Sequence, residues 1–323
     1  MSTDIKFALI LGFMGQQRDR FQVFGPPYTL EEKFERTAQV ELCGAVEILY
    51  PAELGDVEKT KQLLDRYNLK VSSVNVNIKA DEIFHRGALT SPDPAVRAKA
   101  VDYIKAGLDL APELGTDIVT CCPLGDGTEY AFQMDYVDSW GWFVDGIREA
   151  AKHRPDVKLS LEYKRCETRA HCVMPSATSA LHAAEQTGLD NVGVTVDIGH
   201  ALYISEIPSL SLAQCAAANR LFLIHINDNY RDWDWDLVPG SVNWWDWVEC
   251  MLFIDRIGYD GWLVSDVMSS RLDTVSVMNA VGKSIARAQN ALAKVDKDEL
   301  WALIKKNDAL AAYDLFFASW GLD

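Results

Sequence analysis

The stretch NVGVTVDIGH, residues 191–200, begins as a buried strand and ends in an acid and an imidazole. Its valines occupy alternate positions and are β-branched, which favours an extended conformation. Asp197 and His200 follow them directly. An aspartate in this place either caps a helix that begins after the strand or binds a metal ion at the strand end. The ends of the other strands decide between these two interpretations.

Seven other runs have the length and apolar character of buried strands. They are KFALILGFM (6–14), GAVEILY (44–50), KVSSVNVN (70–77), TDIVTCCP (116–123), VKLSLEYK (157–164), LFLIHIND (221–228) and GWLVSDV (261–267). Segments with helical periodicity separate these runs from one another. Strict alternation of strands and helices predicts a parallel sheet, and eight strands close most simply into a barrel. The predicted fold class is therefore α/β, a (β/α)8 TIM barrel.

The chain continues beyond the last predicted barrel helix with another apolar helical segment. We expect the barrel to occupy residues 1–294 and a C-terminal helical extension to occupy residues 295–323. Leu300, Trp301 and Leu315 are among the apolar residues near one face of this extension. That face needs a surface to cover, either on its own barrel or on a neighbouring subunit. We expect the protein to be a homo-oligomer, a dimer or a tetramer.

The composition argues against several classes of protein. The formal net charge of -16 disfavours binding to nucleic acid or to an anionic membrane surface. No apolar run reaches about 18 residues, so we expect no membrane span. The apolar run near the N-terminus is interpreted as the first strand, not as a signal peptide, because no basic region precedes it. Seven cysteines without a CxxC pair indicate buried thiols in a reducing compartment, so we expect a cytoplasmic protein.

Four consecutive predicted strands end in an acid or a histidine. In chain order these residues are Glu162, Asp197, His225 and Asp266. The C-terminal ends of barrel strands meet at one face, where the active sites of this fold lie. Three ionised carboxylates cannot be buried together without a cation. Three oxygen donors and one nitrogen donor suit a divalent ion, with Mn²⁺ preferred over Mg²⁺ or Co²⁺. The alternatives are ordinary helix caps and a hydrogen-bonded core histidine.

The loop after the seventh strand carries a second acidic pattern. In INDNYRDWDWDLVPGS, residues 226–241, Asp232, Asp234 and Asp236 alternate with two tryptophans. Alternate residues of an extended chain share a face, so these acids can point the same way. Asp234, Asp236 and His200 are predicted to hold a second divalent ion, which makes one or two ions per chain. The alternative is a solvated acidic loop whose tryptophans pack against the barrel rim.

These residues together resemble the xylose isomerase-like barrel superfamily, and most closely its L-rhamnose isomerase branch. The motifs that carry the resemblance are EYK (162–164), VSDV (264–267), the D-x-D of residues 234–236, HRGALTSPDPAVRAKAVDY (85–103) and LGDG (124–127). The resemblance spans roughly residues 70–290. It implies an enzyme that interconverts aldoses and ketoses by a metal-assisted hydride shift, with a first ion chelating the substrate and a second ion at the D-x-D motif.

The expected reaction is hydrogen transfer between C1 and C2 of a monosaccharide or sugar derivative. The candidate catalytic residues are Glu162, Lys164, His200 and Asp266. Lys164 either donates a hydrogen bond to a sugar oxygen or forms a salt bridge with a neighbouring acid. The candidate substrate contacts are Phe13, His85, Trp140, Asn227 and Arg231, with Arg18, Arg20 and Arg86 as further candidates for a polar or anionic substituent.

Part of the sequence also resembles the ketose 3-epimerases. Arg231, six residues after His225, stands where those enzymes carry a substrate-binding arginine. Those enzymes use a pair of glutamates, whereas the eighth strand here ends in the shorter Asp266. A ketose 3-epimerase with one ion, and with Glu162 and Asp266 as its two carboxylates, is the first alternative. A lyase acting on an oxidised sugar is another, and a sugar-binding barrel or a subunit of a complex is the alternative without catalysis.

Overall fold

The computed structural model describes residues 6–268 and 270–322. Its strands are β1 (Phe7–Ile10), β2 (Cys43–Tyr50), β3 (Lys70–Val76), β4 (Ile118–Cys121), β5 (Gly127–Thr128), β6 (Lys158–Glu162), β7 (His171–Cys172), β8 (Val192–Asp197), β9 (Leu221–Ile226) and β10 (Leu263–Ser265). Within these residues a closed parallel barrel forms in the order β1-β2-β3-β4-β6-β8-β9-β10, and β5 pairs with β7 in a separate antiparallel ribbon. The predicted (β/α)8 barrel is confirmed.

Most of the helices begin at a side chain that caps their first backbone N–H groups. They are α1 (Leu30–Thr37), α2 (Val57–Tyr67), α3 (Pro94–Glu113), α4 (Tyr136–His153), α5 (Ala177–Thr187), α6 (Ile198–Tyr203), α7 (Pro208–Ala217), α8 (Trp244–Arg256), α9 (Thr274–Ala293), α10 (Lys297–Lys305) and α11 (Ala309–Trp320). Asp56, Asp93 and Ser176 accept such bonds at α2, α3 and α5, whereas α7 and α8 begin without such a bond. Gly188 ends α5 with a φ of 68°, which glycine adopts without strain. Helices α1 to α8 lie in the chain between successive barrel strands, and α9 to α11 follow the last one.

Two local differences separate the structure from the expectation. The first predicted strand is cut to the four residues of β1, and the next residues, Leu11–Met14, form a 3-10 helix. Gly12 interrupts the run there, and a Cβ on it would lie 3.3 Å from Leu49. Helix α6, which the sequence did not predict, begins directly after Asp197. Asp197 therefore ends a strand and also caps a helix, since its carboxylate accepts the backbone N–H of His200 at 2.8 Å.

Side-chain alternation decides which residues of β6 and β8 face the barrel interior. The hydroxyl of Thr195 lies 2.7 Å from that of Ser160 and 3.0 Å from that of Thr120, across the interior. Residues two apart in a strand share a face. Glu162 and Asp197, each two residues after Ser160 and Thr195, therefore also point into the barrel. They lie nearer its C-terminal end than those two hydroxyls.

The same alternation applies to the strands on the other side of the barrel. Ala45 of β2 and Leu223 of β9 belong to one small apolar cluster that β1 and β10 complete. Glu47 and His225 lie two residues further along these strands, and Asp266 follows β10 on the same face. The interior thus changes from apolar to ionisable at its C-terminal end, which we call the barrel mouth.

The C-terminal extension packs on the outside of its own barrel. Trp245 of α8 has ring contacts at 4.9–5.8 Å between centroids with four aromatic residues of α11, namely Tyr313, Phe316, Phe317 and Trp320. The indole of Trp320 also donates to the carbonyl oxygen of Ala291 in α9. Much of the apolar face of residues 295–322 is therefore covered by the same chain. The oligomeric state stays a prediction.

Two expectations from composition can be compared with the structure. Among the helices of residues 6–268 and 270–322, none is both long enough and apolar enough to cross a membrane. The seven cysteines are all free thiols. Cys121 and Cys122, adjacent in sequence, are both buried at the end of β4, where burial raises the pKa of each thiol.

Candidate metal centre

Three carboxylates and one imidazole converge at the barrel mouth, from the ends of β6, β8, β9 and β10. Nδ1 of His225 lies 3.4 Å from Glu162 Oε1, 3.9 Å from Asp197 Oδ2 and 3.8 Å from Asp266 Oδ2. Oxygens of the three carboxylates lie within 4.8 Å of one another. His225 and Asp197 are fully buried, whereas the Asp266 side chain is 16% exposed. The structure thus brings together the four residues predicted as ligands of the first ion, and we call Glu162, Asp197, His225 and Asp266 the first cluster.

The chemistry of this cluster fits a divalent cation. Nδ1 of His225 is buried, faces the carboxylates and has no hydrogen-bond partner within the described chain. In residues 6–268 and 270–322, neither lysine nor arginine forms an ion pair with Glu162, Asp197 or Asp266. Burying three carboxylates without a cation carries a large desolvation cost. Three oxygens and an imidazole nitrogen are donors that suit Mn²⁺ and related ions.

Glu47 of β2 holds His225 from the opposite side, and the sequence analysis missed it. Nε2 of His225 lies 3.1 Å from Glu47 Oε2. Ser73 and Asn75 of β3 each donate to the Glu47 carboxylate at 2.6 Å. A carboxylate behind a metal-binding histidine fixes the ring and its tautomer. The available signal was the single acid in the otherwise apolar run GAVEILY.

Asn227 holds Asp197 in a comparable way. Its amide nitrogen lies 3.2 and 3.1 Å from the two carboxylate oxygens of Asp197. A Cβ on Gly199 would lie 1.5 Å from Oδ1 of Asn227, so this approach requires glycine there. We had predicted Asn227 as a substrate contact, but the structure commits its amide nitrogen to a candidate metal ligand.

His200, in the first turn of α6, connects the first cluster to the loop after β9. Its Nδ1 lies 2.8 Å from the carbonyl oxygen of Tyr163, to which it donates. Its Nε2 lies 3.2 Å from Asp234 Oδ2 and 3.9 Å from Asp197 Oδ2, without forming a hydrogen bond to any described residue. Nε2 is therefore the nitrogen of His200 that is available to a proton or to an ion.

The second predicted cluster also forms, together with two cations that were not predicted as its members. Asp234 and Asp236 are buried beside His200. Nζ of Lys164 lies 2.6 Å from Asp234 Oδ2, and the guanidinium of Arg20 lies 3.1 Å from the same oxygen and 3.0 Å from Asp236 Oδ2. Lys164 thus takes the salt bridge to an acid that we gave as its alternative role. The second ion stays a prediction.

Glu167 completes this group from the loop after β6. Its carboxylate forms ion pairs with both Arg20 and Lys164. We call Asp234, Asp236, Glu167, Lys164 and Arg20 the second cluster. It differs from the first cluster because its carboxylates are already paired with fixed positive charges.

Burial and mutual repulsion shift the pKa values at the mouth. Burial raises the pKa of Asp197 to about 6, with Asp266 and Asp234 adding repulsion against the attraction of His200. Burial also acts to raise the pKa of Glu162, but attraction to His225 and His200 outweighs it and lowers that pKa to about 2. For His200, the nearby carboxylates outweigh burial and raise its pKa to about 9. The site therefore attracts positive charge strongly.

The remaining predicted substrate contacts lie at or beyond the rim. Phe13 is half-buried in the 3-10 helix after β1 and packs against the core. His85 is exposed and lines a cavity of about 430 Å³ with Arg86 and Trp142, between the segments that follow β3 and β4. No described contact joins either predicted residue to the carboxylates of the first cluster.

Two predicted substrate contacts have other partners in the structure. Trp140 of α4 stacks on His182 and donates to Gln186 of α5, on the outside of the barrel. Arg231 has a φ of 66° and pairs with Asp246 of α8 at 2.8 Å. Neither side chain has a described contact with the first cluster, and substrate binding by Trp140 or Arg231 stays a prediction.

Comparison with known proteins places this geometry in a family. The sequence profile of the xylose isomerase-like TIM barrel matches residues 38–295. The chain belongs to this family. Proteins similar to this xylose isomerase-like chain are named as a xylose isomerase and as ketose 3-epimerases. Its finer assignment to the L-rhamnose isomerase branch stays a prediction.

The most similar proteins support the fold over most of the chain. A xylose isomerase from Thermus thermophilus is 30% identical over 195 residues, which are 58% of this chain and 50% of that protein. The chain spans about half the length of the curated relatives it matches. The solved structure of a D-tagatose 3-epimerase-like protein superposes with a TM-score of 0.69 at 20% identity, covering 90% of this chain and 100% of that chain. An L-ribulose 3-epimerase structure gives a TM-score of 0.67 at 17% identity, covering 90% and 97%.

Proposed function

We propose that this protein is a divalent-metal-dependent aldose–ketose isomerase acting on a monosaccharide or a sugar derivative. The observation that supports the proposal is the convergence of the first cluster with the side chains of Lys164 and His200. The first cluster supplies metal ligands, and the other two residues supply a fixed cation and an exchangeable proton. Both sets lie at the C-terminal ends of the strands, where barrel enzymes bind their substrates.

Glu162, Asp197, His225 and Asp266 would hold the ion. When bound, the ion would polarise the sugar carbonyl and orient the neighbouring sugar oxygens. Lys164 contributes a second positive charge from the chain itself. Burial lowers the pKa of Lys164, but Asp234 and Asp236 outweigh this and raise it above its usual range. The ammonium therefore stays protonated and donates a hydrogen bond to the sugar oxygen that gains negative charge.

His200 is the proposed proton carrier. Its Nδ1 is committed to the Tyr163 carbonyl, so Nε2 alone exchanges protons. Because its pKa is raised to about 9, the imidazole is protonated at neutral pH, so Nε2 gives its proton to the sugar oxygen that becomes a hydroxyl and takes a proton back from the neighbouring hydroxyl. During this exchange, hydrogen passes between C1 and C2 of the substrate. Glu162 and Asp266 border the same space and hold the substrate hydroxyls in orientation.

The donor set, the net charge and the cysteines support proposals for the cofactor, the binding partner and the cellular compartment. Mn²⁺ is the ion we propose first, with Mg²⁺ and Co²⁺ as alternatives, because the donors are carboxylates and one imidazole. The partner is a small sugar, and the net charge of -16 supports the absence of a nucleic-acid partner. Seven free thiols support a reducing, cytoplasmic compartment. We propose that the working form is a homo-oligomer.

Product analysis tests the proposed function. Chelator-treated protein is reloaded with Mn²⁺, supplied separately with pentoses, hexoses and their acidic derivatives, and the products are identified by NMR. A ketose formed from an aldose, and the reverse conversion, are expected. No conversion of any sugar by a protein that still binds sugar would contradict the proposal and favour a binding protein.

A ketose 3-epimerase is the second candidate, favoured by the pairing in the second cluster. Asp234 is already bound to Lys164 and Arg20, which suits chemistry with a single ion. Glu162 and Asp266 would then act as the two acid/base carboxylates on either side of His225. In the same product analysis, a ketose converted only into another ketose would favour this reaction.

A further inference from the structure

The two clusters at the mouth differ in how their charge is balanced. The first cluster has three carboxylates and, within the described chain, is without an ion pair to lysine or arginine. The second cluster has three carboxylates that share the ammonium of Lys164 and the guanidinium of Arg20. A divalent ion compensates the first cluster, whereas in the second it would be added to two cations that are already in place.

Arg20 is a cation that cannot be neutralised to admit an ion. The guanidinium stays protonated under all ordinary conditions, so no change of pH removes its charge from Asp234 and Asp236. Its nitrogen contacts one oxygen of each aspartate, at 3.1 and 3.0 Å. A second ion at the D-x-D motif would have to bind these same two carboxylates beside a fixed positive charge. A second ion therefore requires Arg20 to leave the cluster.

Hydrogen bonds within the loop that carries Arg20, and contacts with the loop after β10, hold it in place. Asp19 accepts the backbone N–H groups of Phe21 and Gln22, each at 2.8 Å, and forms a tight turn around Arg20. Arg271, in the loop after β10, forms an ion pair with Asp19 at 3.1 Å. The same guanidinium lies over the ring of Phe24, 4.7 Å from its centroid. These contacts hold Arg20 over the mouth.

We propose that Arg20 is the resident cation of the second cluster, and that the chain consequently binds one divalent ion. The guanidinium joins Asp234, Asp236 and Glu167 and takes the position that the second ion was predicted to occupy. The Oδ1 atoms of both aspartates and Nε2 of His200 have no hydrogen-bond partner in the described chain. They remain for sugar hydroxyls and become ligands for an ion once Arg20 is removed. The inference rests on the proposed function only for the first ion.

The stoichiometry of Mn²⁺ binding tests this inference. Chelator-treated wild type and the Arg20→Met variant are titrated with Mn²⁺ by calorimetry, and the bound metal is counted by elemental analysis after dialysis. We expect one ion per chain in the wild type and two in the variant. Mutual broadening of the Mn²⁺ paramagnetic resonance signal reports a second ion close to the first. Arg20→Lys, which keeps the charge, is expected to bind one ion.

Matched variants separate the role of Arg20 from general effects on the loop. Arg18→Met changes a neighbouring arginine of the same turn and is expected to leave one ion per chain. The double variant D234N/D236N is expected to keep the single ion of the wild type, and this result does not depend on how well Arg20→Met folds.

Three outcomes would overturn the inference. They are two ions in the wild type, loss of one ion in D234N/D236N, or a folded Arg20→Met protein that still binds one ion. Failure of the proposed function is a different result, since a protein that converts no sugar can still bind one ion in the wild type and two in the variant.

Discussion

Nε2 of His225 and Oε2 of Glu47 lie 3.1 Å apart, and both side chains are fully buried. The contact turns Nδ1 of His225 toward the carboxylates of the first cluster. Because Ser73 and Asn75 fix Glu47 in turn, the imidazole is oriented by a chain of contacts that extends across three barrel strands. The orientation of the His225 imidazole in the first cluster therefore depends on a residue on the side of the ring away from the carboxylates.

Replacing Glu47 by glutamine should weaken metal binding without removing a ligand. Loss of a partner behind a metal-binding histidine typically costs about 10–100-fold in metal affinity. We expect the Mn²⁺ dissociation constant of Glu47→Gln, measured by calorimetry, to rise within that range. The same substitution at Glu53, a buried glutamate paired with Lys33, is the control and should leave the dissociation constant unchanged. Equal affinities in the wild type and Glu47→Gln would contradict the role of Glu47.

The sequence allowed the convergence of the four residues of the first cluster to be predicted because two simple rules place them. Alternation along a strand selects the inward face, and the barrel topology brings the strand ends together. Glu47 escaped prediction because it lies within a strand, and only the closure of the barrel shows that β2 faces β9. Arg20 was predicted only as a contact for a polar or anionic substituent of the substrate. Its contact with Asp234 was not predicted, because the two residues are 214 positions apart and nothing in the local sequence connects them.

Arg231 shows what spacing along the sequence leaves open. It lies six residues after His225, and this spacing led to its prediction as a substrate contact. The residue instead adopts a φ of 66°, and its guanidinium pairs with Asp246. Spacing along the sequence gives the distance from a strand end, but not the direction in which a loop side chain points.

Substitution of a first-cluster ligand should remove the ion. We expect Asp197→Asn and His225→Ala to retain no Mn²⁺ after dialysis, as measured by elemental analysis, and to lose sugar conversion. Asp228→Asn is the matched control, because Asp228 is a buried aspartate after β9 whose carboxylate binds Val242 and Asn243 instead. The control should keep its ion. Full metal content in both ligand variants would show that the first cluster is not the metal centre.

The stability of the metal-free protein should fall as the pH rises from about 6.5 to 9. His200 has a pKa raised to about 9 by its carboxylate neighbours, so its proton stabilises the fold below pH 6.5 and is lost as pH rises through 9. The shift corresponds to about 3 kcal/mol of unfolding free energy. Urea unfolding in the presence of a chelator measures this dependence. His200→Asn should flatten it, and an equally steep decline in that variant would contradict the assignment.

Lys164 should be needed for turnover but not for metal binding. Removing the cation that stabilises the developing negative charge should lower kcat by about 100-fold or more. We therefore expect Lys164→Met to bind Mn²⁺ with wild-type stoichiometry while losing most of its activity in a steady-state assay. Lys164→Arg keeps the charge and should recover part of kcat. A Lys164→Met protein with wild-type kcat would exclude Lys164 from the reaction.

The C-terminal extension should stabilise the barrel without contributing to the site. Phe316 is 7% exposed and packs against Trp245, so Phe316→Ala removes a buried aromatic ring and should lower the unfolding free energy by about 3–5 kcal/mol. Leu310→Ala, in the same helix at 76% exposure, should change it by less than about 0.5 kcal/mol. Urea unfolding of both variants measures the difference. Because no described contact joins α11 to the first or second cluster, Mn²⁺ stoichiometry and kcat should stay at wild-type values in both. A selective loss of kcat in Phe316→Ala at wild-type stability would instead assign the extension to the active site.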